Sequence, residues 1–120
     1  MPEAREIDSL YQKLKELMEP QGLYFNRDTE LVRDLLNSLL INRRSLGYMA
    51  CPCRLASGDY ELDKDIICPC VYARPDIRDY GSCYCGLYVS PEWNEGSIPH
   101  VHVPERRSPE KILAGLGKEE

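Results

Sequence analysis

Hydrophobic residues recur with helical spacing in two stretches near the N-terminus. Across 7–19 the apolar side chains repeat at i, i+3, i+4 and i+7, as on one face of an amphipathic helix. A second stripe, mostly leucine, predicts a helix over 28–43 that either Asn26 or Asp28 can cap. Such stripes are typical of helices that pack against each other. The sequence therefore predicts a helical N-terminal part over 1–47, with its core between these two helices.

The periodicity breaks down over 48–90, where prolines and glycines interrupt every pattern. Within it, 75–80 predicts a short helical turn with proline at its first position, and 86–89 predicts a short strand. The tail, 91–120, is loop-like at first, and a Ser-Pro pair then predicts a last helix over 109–116. The fold class expected is a small, mainly α protein whose helices pack beside a loop-rich site.

Composition narrows the class of protein. The 120 residues have the size of one domain, so we expect a single domain over 1–120. A formal net charge of −5 argues against a general nucleic-acid binder. No stretch approaches the roughly 20 apolar residues that span a bilayer, and the N-terminus lacks the pattern of a secretory signal. We therefore expect a cytoplasmic protein that binds neither nucleic acid nor membrane.

The six cysteines form three Cys-x-Cys pairs, separated by 14 and 12 residues: Cys51-Pro52-Cys53, Cys68-Pro69-Cys70 and Cys83-Tyr84-Cys85. In a chain without an export signal, clustered cysteines favour metal binding or catalysis over structural disulfides. Thiolates bind zinc or iron–sulfur clusters, and the pairs are tighter than the usual Cys-x2–4-Cys zinc spacing. One cluster needs four ligands, which leaves two cysteines over, whereas a dinuclear centre could use all six. The residues alone leave open an iron–sulfur cluster, zinc, or disulfides only.

The order Cys-Pro-Cys-Arg, Cys-Pro-Cys, Cys-x-Cys, with the preceding stretch 37–48, resembles a known family. It is similar to the catalytic subunit of ferredoxin:thioredoxin reductase and to archaeal ferredoxin-dependent disulfide reductases, over about residues 7–90. The resemblance implies a redox-active disulfide between Cys53 and Cys85. It also implies a [4Fe-4S] cluster bound by four cysteines, Cys51, Cys68, Cys70 and Cys83.

The resemblance implies an enzyme that passes electrons one at a time from ferredoxin to a protein disulfide such as that of thioredoxin. Cys53 would be the exposed sulfur that attacks the target, and Cys85 the sulfur that stays by the cluster. A second subunit, as in the plant enzymes, is compatible with this picture. Tyr84 stands where the family usually has histidine, which makes it a candidate catalytic residue. A phenol with a pKa near 10 donates a hydrogen bond but is a poor proton shuttle at neutral pH.

Other polar residues carry expectations of their own. Arg54 is either an exposed charge or the cation that lowers the pKa of the neighbouring Cys53 thiol. His100 and His102 share one face of an extended segment, and either could replace the missing histidine if the tail folds back. Aromatic side chains are expected to shield the cluster from water: Trp93, Tyr72, Tyr80, Tyr84 and Tyr88.

Two alternative functions remain open on the sequence. One is a [4Fe-4S] electron-transfer module without disulfide reductase activity, which the absence of the histidine favours. The other is a zinc-organised interaction domain. The two surplus cysteines favour the reductase, because a simple electron carrier needs only four ligands.

Overall fold

Two long helices form the N-terminal part of the protein in the computed structural model, which describes residues 2–118. Helix α1 spans Ala4–Met18 and helix α2 spans Thr29–Leu46. The Asp28 side chain caps α2 by accepting a hydrogen bond from a backbone N–H of the first turn, and α2 ends at Gly47, whose φ of 88° suits glycine. Both predicted helices are confirmed, and Asp28 is the residue that caps the second.

The remaining elements are short, and most of them are helical, so the protein is mainly α as expected. Two 3-10 turns at Glu19–Gln21 and Lys64–Ile66 extend neighbouring helices. A two-stranded antiparallel ribbon pairs β1 (Tyr24–Phe25) with β2 (Tyr88–Val89). Four further helices follow in chain order: α3 (Tyr60–Asp63), α4 (Ala73–Tyr80), α5 (Pro91–Glu95) and α6 (Pro109–Lys118). Among residues 2–118, no helix is long and apolar enough to cross a membrane.

Two local predictions need correction. Helix α4 begins at Ala73, so Pro75 is its third residue, where the missing N–H still removes no intrahelical bond. The segment expected to be a loop after Ser90 contains α5, with the Ser90 hydroxyl accepting from the Trp93 N–H at 3.2 Å. Strand β1 has no counterpart among the predicted elements, because it forms only through pairing with a distant strand.

The apolar faces of α1 and α2 close over the ribbon and form the core. Phe25 stacks between Tyr11 and Tyr88, with ring centroids 4.7 and 5.4 Å apart. The sulfur-bearing residues Cys70 and Cys83 belong to the same buried cluster. The cysteine region is therefore built directly onto the helical core. The largest aliphatic side chains of the core belong to leucines and one valine: Leu10, Leu14, Leu23, Val32, Leu35, Leu36, Leu39, Leu40 and Leu87.

The tail folds back over the cysteine region through three consecutive residues, Glu105, Arg106 and Arg107, here named the C-terminal clamp. Arg106 Nε donates to the buried Asp76 carboxylate at 2.6 Å. Arg107 Nε donates to Asp65 at 2.9 Å, and its Nη2 to a backbone carbonyl before it. Because both arginines pair with buried or nearly buried acids, this segment is fixed against the rest of the protein.

Candidate redox site

Backbone hydrogen bonds bring the first two cysteine pairs side by side. The Cys51 N–H donates to Ile66 O at 2.8 Å, and the Cys68 N–H donates to Met49 O at 2.8 Å. These bonds flank an isolated antiparallel bridge between the two segments. The loop of 14 residues between the pairs therefore returns to its starting point, which places Cys51 and Cys68 next to each other.

The third pair is held by the ribbon and by the start of α2. The Cys83 N–H donates to Tyr88 O at 2.9 Å, and the Gly86 N–H closes a turn on Cys83 O at 3.0 Å. The buried Asn26 side chain, just before α2, donates to Gly86 O at 3.0 Å. The turn that carries Cys83 and Cys85 is thus anchored from two sides.

Every cysteine except Cys53 lines one small cavity. Cys53 is exposed, outside that lining, while the Cys83 and Cys85 sulfurs lie 3.7 Å apart. Non-cysteine residues complete the wall: Arg54, Pro69, Ala73, Tyr84 and Tyr88. Within residues 2–118, no group of three or more His, Cys, Asp or Glu side chains is arranged to hold a single metal ion.

The donor set of the cavity fits a thiolate-bound iron–sulfur group. Cys51, Cys70 and Cys83 are buried, so their sulfurs face the cavity instead of solvent. The Tyr88 N–H donates to the Cys83 sulfur at 3.3 Å, the kind of bond that stabilises a ligating thiolate. The buried Tyr88 hydroxyl has no hydrogen-bond partner among the described residues, which is unusual for a cavity filled by protein alone.

Hydrogen bonds among the thiols give the individual cysteines different pKa values. Bonds from Cys53 and Cys85 lower the pKa of Cys51 to about 3, and a bond from Cys85 lowers the pKa of Cys83. The bond to Cys51 raises the pKa of Cys53 to about 11. With all six cysteines as free thiols, this effect opposes the lowering of the Cys53 pKa expected from Arg54. Burial raises the pKa of the two thiols of the second pair, Cys68 and Cys70.

Arg54 is buried, with 8% of its surface exposed, and points into the site. Its Nη1 donates to the Cys70 sulfur at 3.2 Å, and its Nη2 and Nε donate to the Glu105 carboxylate at 2.9 and 3.1 Å. The guanidinium carbon lies 4.5 Å from the centre of the Tyr84 ring and 5.1 Å from that of Tyr72. Both sequence interpretations of Arg54 are corrected: it is neither exposed nor directed at Cys53.

Tyr84 lines the cavity, as its place between two cysteines suggests. Its ring covers the Arg54 guanidinium and so helps to exclude water from that cation. A catalytic role for its hydroxyl stays a prediction.

The aromatic and histidine residues of the tail do not reach this cavity. The His100 ring stacks on Trp93 at a centroid distance of 3.7 Å, and its Nε2 lies 2.8 Å from Trp93 O. Among the described residues, the cavity lining includes neither histidine nor Trp93, so the expectation that Trp93 shields it is wrong. Tyr80 instead lies beside Arg106 of the clamp.

What the tail contributes is Glu105, which the sequence analysis did not single out. An acid followed by two arginines is ordinary surface composition, and no local motif marks it. Its role depends on a contact with Arg54, 51 residues away in the chain.

Comparison with known proteins agrees with this geometry. The family model described as ferredoxin thioredoxin reductase catalytic beta chain matches residues 2–107. The chain belongs to this family. The match includes all three cysteine pairs and the C-terminal clamp, and it ends before α6. Family membership confirms the resemblance seen in the cysteine pattern and indicates an oxidoreductase. A search of curated proteins finds no match to the chain.

Proposed function

We propose that this chain is the catalytic chain of a ferredoxin-dependent disulfide reductase, acting on thioredoxin or a similar small disulfide protein. The observation that carries the proposal is the division of the cysteines, with Cys53 exposed and every other cysteine on one cavity. Membership of the ferredoxin thioredoxin reductase catalytic beta chain family supports it. A second subunit and a cytoplasmic location are part of the same proposal.

We assign four cysteines to a [4Fe-4S] cluster: Cys51, Cys68, Cys70 and Cys83. Support comes from their place on the cavity and from the N–H and guanidinium donors aimed at their sulfurs. When bound, the group would hold single electrons beside the Cys85 sulfur, which matters because ferredoxin delivers one electron at a time and a disulfide needs two.

The remaining pair, Cys53 and Cys85, carries the exchange chemistry. The Cys53 thiolate attacks one sulfur of the target disulfide, forms a mixed disulfide and releases the first target thiol. Cys85 then attacks the Cys53 sulfur, which re-forms the Cys53–Cys85 disulfide and releases the second target thiol. The target gains two electrons and two protons, and two electrons from ferredoxin with two protons from solvent restore the dithiol.

The metal content of anaerobically purified protein is the first test. Close to four irons per chain are expected, and Cys51→Ser should lose them because a ligand is gone. Cys53→Ser is the matched control, since it removes an exposed sulfur and should keep the iron. Zinc at full occupancy in place of iron would refute the proposal and support an interaction domain.

Disulfide reduction is the second test. With ferredoxin as donor, Cys53→Ser should reduce no thioredoxin disulfide while its iron content stays unchanged. The oxidised wild-type protein should show no alkylatable thiol until a reductant is added. Turnover retained by Cys53→Ser would overturn the assigned role of that sulfur.

The tyrosine at position 84, where the family usually has histidine, favours a second candidate, an electron-transfer module that performs no exchange. A phenol is a poor proton shuttle at neutral pH, and disulfide exchange needs protons to move. The two functions differ in one result. A module would pass electrons to an acceptor equally well in wild type and in Cys53→Ser, whereas the reductase loses its acceptor reaction.

A further inference from the structure

The buried cation beside the cysteine cavity is a feature that disulfide exchange by Cys53 and Cys85 does not require. The Arg54 side chain is 2% exposed, and its Nη1 lies 3.2 Å from the Cys70 sulfur. A buried guanidinium is costly unless it is paired and hydrogen-bonded. Arg54 meets this condition through Glu105, and its further bond to the Cys70 sulfur places a fixed positive charge where it acts on that sulfur.

Arg54 is held in one orientation by groups from three parts of the chain. The Glu105 carboxylate of the C-terminal clamp accepts bonds from both Nε and Nη2, a bidentate arrangement. Tyr72 and Tyr84 lie against the guanidinium, and the Tyr72 hydroxyl donates to Asp65 at 2.6 Å. The remaining nitrogen, Nη1, is directed at the Cys70 sulfur.

We propose that Arg54 is a positioning residue that sets the reduction potential of the metal site, an inference that rests on the proposed function. Reduction adds negative charge to the site, and a fixed cation bonded to a ligating sulfur stabilises the reduced form. Arg54 thus raises the potential, and the Glu105 carboxylate limits the effect by offsetting part of its charge. The two residues act in opposite directions on one measurable quantity.

An anaerobic redox titration of the iron-loaded protein, followed by its visible and paramagnetic resonance spectra, tests this opposition. Arg54→Met should lower the reduction equilibrium constant about tenfold, a shift of about 59 mV for one electron. Arg54→Lys keeps the charge but not the forked set of guanidinium donors. Its potential should lie between that of the wild type and that of Arg54→Met. Glu105→Gln should raise the potential. This shift should be smaller than the one caused by Arg54→Met, because Glu105 is partly exposed and solvent screens its charge.

The matched control is Arg78→Gln, which removes the same charge from a side chain that is 71% exposed and pairs with Asp79. Its potential should equal that of the wild type. Unshifted potentials in Arg54→Met and Glu105→Gln, or shifts in the same direction, would overturn the inference. Loss of iron from all three Arg54 and Glu105 variants would assign these residues a purely structural role and overturn it too. Absence of iron from the wild type is a different result, because it refutes the proposed function itself.

Discussion

The Asp63 carboxylate ties together the two ends of the segment that carries the first cysteine pair. Asp63 is fully buried. It accepts a hydrogen bond from the Tyr48 hydroxyl, before the pair, at 2.5 Å. After the pair it accepts from the Ser57 N–H at 3.1 Å, the Ser57 hydroxyl at 2.9 Å and the Gly58 N–H at 3.1 Å. We expect Asp63→Asn to loosen this segment.

The size of the effect follows from the donors. An asparagine oxygen accepts at most two hydrogen bonds, and its NH2 group would face the N–H groups of Ser57 or Gly58. At least two donors would then lose their partner. Because a hydrogen bond to a charged group contributes about 1.5–3 kcal/mol, the free energy of unfolding should fall by about 3 kcal/mol. For a chain of 120 residues this lowers Tm by roughly 10 °C.

The pH dependence has a definite sign. Burial opposes ionisation of Asp63, but the hydrogen bonds from Tyr48 and Ser57 outweigh it and hold the pKa below its usual 3.8. A lowered pKa stabilises the fold in full above the unfolded pKa, and this contribution is lost as pH falls through the folded pKa. The difference in the free energy of unfolding between wild type and Asp63→Asn should therefore be the same at pH 7 and at pH 5.5.

Urea unfolding at both pH values, with hydrogen exchange across 49–58, measures the change. The control is Asp34→Asn, which alters an exposed carboxylate on α2 and should change the unfolding free energy by less than about 0.5 kcal/mol. A loss below about 1 kcal/mol in Asp63→Asn, or unchanged exchange in this segment, would refute the reasoning.

Three further substitutions test the packing. Leu36→Ala, at a fully buried site, should lower the unfolding free energy by about 3 kcal/mol in urea, and a loss under about 1 kcal/mol would contradict the core described. Gly81→Ala should be more destabilising than Gly22→Ala in the same assay. Both glycines have positive φ, near 82° and 85°, but only at Gly81 would the added Cβ meet another side chain, at 2.5 Å; equal losses would contradict this contact. Tyr88→Phe removes a buried hydroxyl without a partner among the described residues, so stability should not fall; a loss above about 1 kcal/mol would reveal a partner.

Local features of the sequence were enough to predict the two long helices and the family. A 3.6-residue apolar period and a capping aspartate depend only on neighbours in the chain, so α1 and α2 could be located from sequence. The cysteine pairs are likewise short motifs, and their order led to the family that the comparison confirms. The same reasoning missed strand β1, because two residues become a strand only when a distant partner pairs with them.

The sequence by itself determined which residue types could hold a metal and exchange disulfides, because thiol chemistry belongs to the side chain. The tertiary structure decided the surroundings of the sulfurs. Arg54 reaches Cys70 and Glu105, 16 and 51 residues away, and Asn26 holds the third cysteine pair from 60 residues away. Contacts at such separations leave no local pattern, because they form only when the chain has closed its loops and buried the charges together.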